Sequence, residues 1–300
     1  MPKRISSAVL RTATRYGVKP FLGPPWPVAF QRAWLRLVAK VNSPSPHAEM
    51  AWISMDGVRA LVARPKGEQP AQSVLYLHGG GYCIGGPSTH KGLVTHLAVA
   101  ADASVYVPEY RLAPEHPHPA ALEDGLSAYR WMLDHQTLPR RISIAWDSAG
   151  GGLALVTALA IRDEGLPQPA AIVLISPWTD MSCDSASRTD NAKIDPMIRT
   201  SWSQQCAALY LDGRPLDDPT CSPLFADHKS LPPILIQIGT DEVLFDDSAG
   251  LADKCRAAGV DVTLQVFDGM WHVFQSSVGA MREADEAIAK IANFLGSRWS

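Results

Sequence analysis

Ser148 is the residue whose surroundings in the sequence point most directly to chemistry. It follows the apolar run Ile142–Ala145 and precedes Ala149-Gly150, where a helix-like pattern begins. A serine on a sharp strand-to-helix turn exposes its hydroxyl above the edge of a sheet, and the N-terminus of the helix favours negative charge. The local sequence therefore predicts a nucleophile, although strand-turn-helix corners with serine also occur without a catalytic role.

A nucleophilic serine needs two partners. Its hydroxyl is weakly nucleophilic at neutral pH, so an imidazole must take its proton and a carboxylate must orient that imidazole. In folds where the nucleophile follows a strand in this way, the order along the chain is serine, acid, histidine. Only His228 and His272 follow Ser148. We predict His272 as the base because it comes after the last predicted strand, whereas His228 precedes the acidic loop and is expected to be exposed.

The carboxylate is predicted to be Asp241. It lies in the loop 239–244, which follows the apolar run Ile234–Ile238 and so lies at the sheet edge that carries the nucleophile. Glu242 and Asp246 are close enough in sequence to be alternative acids. Taken alone, Asp241 would be interpreted as a helix cap, but its order and its position after a strand favour the catalytic interpretation.

A run of three glycines supplies candidate backbone donors for the oxyanion. Gly79, Gly80 and Gly81 follow the apolar run Val74–Leu77, and consecutive glycines let a backbone approach a substrate closely. We predict that the N–H groups of Gly80, Gly81 and Ala149 bind the oxyanion formed during acyl transfer. A phosphate-binding loop is disfavoured, because the Lys-Ser/Thr ending and the G-x-G-x-x-G spacing are both missing.

The elements that must position these residues alternate along the chain. Short apolar runs read as strands, at residues 49–54, 58–63, 74–77, 104–107, 142–145, 172–175, 234–238 and 262–267. Segments with apolar residues three and four apart read as helices, at residues 6–16, 27–41, 90–101, 120–135, 149–163, 197–211, 246–258 and 280–295. The pattern predicts an α/β protein in which helices flank a mostly parallel, eight-stranded sheet.

Two parts of the chain fall outside the alternation of strand and helix. Residues 1–45 precede it, and residues 177–230 form an interval too long for a simple crossover. We expect both to form an α-helical cap over the sheet edge where ligands bind in open α/β sheets. Residues 46–176 and 231–300 would then form the core.

Composition narrows the choice of partners and compartment. The 300 residues carry a formal net charge of −3, with 46% hydrophobic and 19% charged residues, so nucleic acid is not an expected partner. No signal peptide or membrane span is predicted, and the cytoplasm is the expected compartment. The basic residues near the N-terminus are interpreted as a solvated helix face: Lys3, Arg4, Arg11, Arg15 and Lys19.

No cofactor or metal is expected. The chain has five scattered cysteines without a C-x-x-C pair, which indicates neither a disulfide framework nor a zinc site. His116 and His118 flank a proline, but no partner at suitable spacing accompanies them.

Four motifs together resemble the bacterial hormone-sensitive-lipase family of α/β-hydrolases, over a match from about residue 74 to the C-terminus. They are His78-Gly79-Gly80-Gly81, Tyr110-Arg111-Leu112-Ala113-Pro114-Glu115, Asp147-Ser148-Ala149-Gly150-Gly151 and Gly269-Met270-Trp271-His272. The resemblance implies an α/β-hydrolase fold with a helical cap, Ser148, Asp241 and His272 as the triad, and Gly80, Gly81 and Ala149 as oxyanion donors. It also implies a serine carboxylesterase that hydrolyses short-chain carboxylic esters through an acyl-enzyme.

Other functions stay open at this point. An amidase or a lactonase would use the same triad, and a non-catalytic small-molecule-binding protein could have the same fold, although such proteins tend to lose the base. A homodimer is one option for the assembly, since members of the family often dimerise.

One residue departs from the family pattern. Trp146 stands two residues before the nucleophile, where the family ordinarily has glycine. Small residues are wanted there because strand and helix pass close together. Our hypothesis is that the indole fills space between the sheet and a neighbouring helix and leaves the triad usable.

Overall fold

An eight-stranded β-sheet forms the centre of the structure, a computed structural model that describes residues 4–135 and 138–299. The strands lie in the order β1-β2-β4-β3-β5-β6-β7-β8, and only β2 is antiparallel to its neighbours. Their bounds are β1 Ala48–Met55, β2 Val58–Pro65, β3 Ser73–Leu77, β4 Ser104–Pro108, β5 Ile142–Asp147, β6 Ala171–Ile175, β7 Ile234–Gly239 and β8 Val262–Phe267. The prediction of a mostly parallel sheet in an α/β protein is confirmed.

The first two strands form a hairpin. Met55 pairs with Val58 at its end, and the two residues between them, Asp56 and Gly57, have φ values of 47° and 90°. Two positive φ values in succession are what a type I′ turn requires, and an Asp-Gly pair adopts them at low cost. This short connection fixes the register of the antiparallel edge.

Helices cover both faces of the sheet. Their bounds are α1 Ser7–Gly17, α2 Val28–Val38, α3 Lys91–Ala101, α4 Ala120–His135, α5 Ala149–Asp163, α6 Ala186–Asp190, α7 Thr200–Leu211, α8 Phe245–Ala257 and α9 Arg282–Gly296. Buried side chains of α3 and α9 belong to one core cluster, and those of α4, α5 and α8 belong to the other. In α9 the spacing explains the packing, because Ala284, Ala287, Ile288, Ile291 and Leu295 are all buried and recur at helical intervals.

The N-terminal helix is tied to the interval between β6 and β7, which contains α6 and α7. Arg15 donates to the carbonyl oxygens of Lys193 and Ile194 at 2.9 and 2.8 Å, and Lys19 donates to that of Ala192 at 2.9 Å. The interpretation of the basic residues as a solvated face is therefore wrong for Arg15 and Lys19, and also for Arg11, which donates to the carbonyl oxygen of Gly269 and lies 2.7 Å from Oδ2 of Asp241. Their charges bind backbone carbonyls, a pairing of segments more than 170 residues apart that local sequence does not reveal. Lys3 lies outside the described residues.

The length and the apolar content of a helix decide whether it could cross a membrane. Within residues 4–135 and 138–299, no helix is both long enough and apolar enough to cross a lipid bilayer.

Candidate active site

Ser148 lies on the sharp corner between β5 and α5. Its backbone has φ 55° and ψ −125°, a conformation that costs a non-glycine residue roughly 1–3 kcal/mol. Close packing enforces the corner: a Cβ at Gly150 would collide with the carbonyl oxygens of Leu77 and His78. The N–H of Ser148 donates to the carbonyl of Ile175 at 2.9 Å. The strain is thus held in place by the strands on either side.

The hydroxyl of Ser148 and the imidazole of His272 are within hydrogen-bond distance. Ser148 Oγ lies 2.9 Å from His272 Nε2, although the two residues are 124 positions apart. The other ring nitrogen, Nδ1, lies 3.0 Å from Oε2 of Glu242. All three side chains are buried. When Nδ1–H donates to the carboxylate, Nε2 is left as an acceptor for the serine proton, which is the tautomer that a general base needs.

Glu242 is held by more than the imidazole. Its Oε1 accepts hydrogen bonds from Ser176 Oγ at 2.8 Å and from the N–H of Gly239 at 2.7 Å. Burial raises the pKa of this carboxyl, and the hydrogen bonds from His272 and Gly239 act in the opposite direction. A carboxylate that accepts three donors in a fixed geometry keeps the ring of His272 in one orientation.

The prediction of Asp241 as the acid is wrong in this structure. The Asp241 side chain turns to Arg11 of α1, with Oδ2 2.7 Å from Nη2, and it is about a quarter exposed, at 23%. Asp246, the second alternative, accepts the N–H of Ser187 at 2.7 Å. The remaining alternative, Glu242, is the carboxylate that contacts His272.

His228 also differs from expectation. It is 3% exposed rather than solvated, and its Nε2 pairs with the carbonyl oxygen of Pro223 at 2.8 Å. Burial lowers its pKa. It is a buried structural histidine, and His272 is the histidine that contacts Ser148.

The glycine loop lies beside the nucleophile. Gly80 and Gly81 have φ values of 125° and 62°, which only glycine adopts without strain. Within the part of the chain that the structure describes, their N–H groups donate to no carbonyl or side chain. Ala149 is the first residue of α5, so its N–H has no acceptor within the helix. The role of these three N–H groups as oxyanion donors stays a prediction from the sequence.

Trp146 is fully buried, with 0% of its surface exposed. On β5 its side chain shares a face with Ile142 and Ile144, and all three belong to the core cluster that includes α4 and α5. The indole therefore points into the core beneath the corner, and it does not occupy the space where Gly150 approaches the carbonyl oxygens of Leu77 and His78.

Trp146→Gly should lower the free energy of unfolding by at least about 3–5 kcal/mol, because it leaves a cavity the size of an indole. Urea denaturation of the two proteins measures the difference. Trp52→Gly is the matched control: Trp52 is 39% exposed on β1, so its loss should cost much less. If Trp146→Gly left both the melting temperature and kcat/KM unchanged, the indole would have no special importance.

A cavity of about 360 Å³ opens onto the site. It is lined by Ser148 and His272 and by apolar side chains of α1 and α2, such as Leu10 and Val38. Trp202 of α7 also lines it. The two parts of the chain predicted to form a cap therefore both contribute to this cavity.

Across residues 4–135 and 138–299, no group of three or more His, Cys, Asp or Glu side chains could hold a metal ion.

Comparisons with known proteins agree with this geometry. A family model described as alpha/beta hydrolase fold matches residues 74–276. An acetyl-hydrolase of Streptomyces hygroscopicus is 41% identical over 227 residues, 76% of each chain. The crystal structure of an esterase from the bacterial hormone-sensitive lipase family is similar at a TM-score of 0.93 and 38% identity, covering 98% of both chains. That of EstE5 soaked with p-nitrophenyl butyrate has a TM-score of 0.92 at 40% identity, covering 97% of this chain and 98% of that one.

Proposed function

This chain belongs to the alpha/beta hydrolase family, among the esterases of its bacterial hormone-sensitive-lipase branch, and on that premise we propose that it hydrolyses short-chain carboxylic esters through an acyl-enzyme on Ser148. The observation that carries the proposal is the continuous contact from Glu242 through His272 to Ser148, at 3.0 and 2.9 Å. Those distances are within the range for proton transfer between positioned groups.

The first half of the reaction forms the acyl-enzyme. His272 Nε2 takes the proton of the Ser148 hydroxyl as Oγ attacks the ester carbonyl carbon, and the carbonyl oxygen becomes an oxyanion. The N–H groups of Gly80, Gly81 and Ala149 bind that oxyanion. Glu242 stabilises the imidazolium, which then gives its proton to the leaving alkoxide, and the bond to the alcohol oxygen breaks.

The second half reverses these roles with water. His272 takes a proton from a water molecule, the hydroxide attacks the acyl carbon, and a second oxyanion forms in the same place. Collapse of this intermediate returns the proton from His272 to Ser148 Oγ and releases the carboxylic acid. No step requires a metal or an organic cofactor.

The cavity supports short acyl chains. Its volume of about 360 Å³ lies at the lower end of the ~300–1,000 Å³ typical of ligand pockets, and it must hold both acyl and alcohol groups. We propose that residues 1–45 and 177–230 form a cap, and that residues 46–176 and 231–300 form the core beneath it. Residues 1–3 and residue 300 lie outside the described residues. The cytoplasm as compartment and a homodimer as assembly stay predictions from the sequence.

A panel of p-nitrophenyl esters tests the proposal. We expect a burst of p-nitrophenol followed by steady turnover, with kcat/KM highest for acetate and butyrate and at least about tenfold lower for laurate, since the cavity is small. The matched p-nitroanilides should react far more slowly. A protein that binds these esters without burst or turnover would be a binding protein, and faster hydrolysis of the anilides would make it an amidase.

A further inference from the structure

A second histidine–carboxylate pair lies beside the nucleophile, and the mechanism above does not use it. Asp147 directly precedes Ser148, and His90 Nε2 lies 3.3 Å from Asp147 Oδ1 and 3.4 Å from Oδ2. The two side chains are 14% and 5% exposed. His90 and Asp147 line the same cavity as Ser148 and His272, so the pair is next to the reacting groups.

Asp147 connects the nucleophile corner to the glycine loop. Its Oδ1 accepts the N–H of Gly79 at 3.1 Å and the hydroxyl of Tyr76 at 2.6 Å. The fit is close, because a Cβ at Gly79 would collide with the Asp147 carboxylate. Gly79 is the first of the three glycines, so this hydrogen bond anchors the loop at its start and leaves the N–H groups of the next two for a ligand.

The contacts of His90 suit a proton on both ring nitrogens. Nε2 faces the Asp147 carboxylate, which only accepts. Nδ1 faces the carbonyl oxygen of Gly86 at 3.1 Å and the hydroxyl of Thr89 at 2.9 Å. That hydroxyl donates its own hydrogen to the same carbonyl at 2.7 Å. Nε2 therefore donates to the carboxylate, and Nδ1 faces a carbonyl oxygen and a hydroxyl oxygen, an arrangement that suits the imidazolium.

The charges around His90 agree with this protonation. Although burial lowers the pKa of His90, its attraction to Asp147 raises the pKa overall. Burial also works against ionised Asp147, yet His90 and the hydrogen bonds bring the pKa of Asp147 down to about 2. The other titratable rings that face His90 are Tyr76, at 6.2 Å between centroids, and His78, at 5.5 Å. Burial and the charge of His90 lower the pKa of His78 to about 3, so His78 stays neutral.

We propose that His90 is a positioning residue for the oxyanion hole: its imidazolium holds the Asp147 carboxylate, which anchors Gly79 and thereby orients the N–H groups of Gly80 and Gly81. This rests on the proposed function, and it adds a second histidine–carboxylate pair beside the nucleophile. His90 acts through Asp147 and takes no part in the transfer of the serine proton.

His90→Gln tests the inference, because glutamine keeps one N–H donor but removes the charge. We expect kcat for p-nitrophenyl butyrate to fall by about 10- to 100-fold, less than the loss of a whole oxyanion donor, with KM changed by less than about threefold. Affinity for a trifluoromethyl ketone, which forms a tetrahedral adduct with the serine, should fall by a similar factor. Affinity for the ketone without fluorine, which resembles the ground state, should not change.

The pH profile provides a readout that a purely structural role would not move. The raised pKa of His90 means that its charge persists to a higher pH than that of an ordinary histidine and is lost as the pH rises through that pKa. Wild-type kcat should therefore show an alkaline decline that His90→Gln lacks. An identical alkaline limb in both proteins would contradict the inference.

Two further variants complete the test: Asp147→Asn alone, and Asp147→Asn combined with His90→Gln. Because both residues act on one anchor, the double variant should be no slower than about the worse single variant. His228→Gln is the control, since it removes a buried histidine away from the cavity and should leave kcat unchanged. If His90→Gln does not fold, Tyr76→Phe removes another donor to the same carboxylate and should lower kcat and ketone affinity together.

Two outcomes would overturn the inference. One is folded His90→Gln with wild-type kcat and wild-type affinity for the trifluoromethyl ketone. The other is an equal loss of affinity for both ketones together with a large fall in melting temperature, which would make His90 a structural residue only. Failure of the proposed function is distinguishable, because it would appear as undiminished hydrolysis by Ser148→Ala.

Discussion

Ser148→Ala is expected to lower kcat for p-nitrophenyl butyrate by about 10⁵–10⁶-fold, because removing the nucleophile from a working triad leaves only binding and oxyanion stabilisation. The fold should be unaffected. Ser148 precedes α5 but its side chain makes no capping hydrogen bond, so the change should alter the free energy of unfolding by less than about 1 kcal/mol. Stopped-flow and steady-state release of p-nitrophenol, with urea denaturation of both proteins, measure the two quantities.

The control for this variant is Ser248→Ala, which removes a buried serine hydroxyl from α8. Its kcat should stay within about threefold of wild type, because a side chain away from the active site affects the stability of the fold and does not contact the reacting groups. Hydrolysis by Ser148→Ala at a rate near that of Ser248→Ala would identify a different nucleophile.

Glu242→Gln is expected to lower kcat by about 10³–10⁴-fold, whereas Asp241→Asn should stay within about threefold of wild type. An amide at 242 loses the charge that stabilises the imidazolium. It can also turn its NH₂ group toward Nδ1 and favour the wrong tautomer of His272. Asp241 faces Arg11 instead, so its charge is not used on the imidazole. The measurement is kcat at saturating ester for the two variants side by side.

Each of these two substitutions is the control for the other, because they are adjacent and remove the same charge. A large loss in Asp241→Asn with a small loss in Glu242→Gln would restore the assignment made from sequence and contradict the structure. Asp241→Asn should instead weaken the attachment of α1, through the lost contact with Arg11, which is about a quarter exposed, at 25%.

The positions of the nucleophile and the base could be predicted because each follows directly from strand periodicity. Parallel strands bring their carboxyl ends to one edge, so a residue that follows an apolar run, such as Ser148 or His272, must lie at that edge. The serine–acid–histidine order then leaves few choices. The eight strands and both sheet faces follow from the same alternation of apolar runs and helical spacing.

The acid could not be predicted to the residue. Asp241 and Glu242 both follow β7, and neighbouring side chains in a loop point in different directions, so a shift of one residue decides which carboxylate meets the imidazole. In this fold that choice depends on Ser176 and Gly239, which hold Glu242, and on Arg11, which binds Asp241. Of these three residues, Gly239 alone is close to Asp241 and Glu242 in the sequence, so the local sequence does not reveal which carboxylate contacts His272.

Other errors have the same origin. Arg15 and Lys19 bind carbonyl oxygens of residues 192–194, and nothing in the sequence around them distinguishes that from a solvated face. The short helix α6 spans five residues, too few to show a periodic pattern. His90 follows no apolar run, and its contact with Asp147 depends on how α3 begins beside the glycine loop. These are tertiary contacts, which override local signals.

The central claim is that Ser148, His272 and Glu242 act as one reactive unit, and the rate of covalent labelling by phenylmethylsulfonyl fluoride tests it most directly. Peptide mass spectrometry should find a single sulfonyl group on Ser148. Labelling should be as fast in Asp241→Asn as in wild type and slower by at least about a hundredfold in Glu242→Gln, since only the second change disturbs the base. Labelling of another residue, or equal rates in the two variants, would contradict the account.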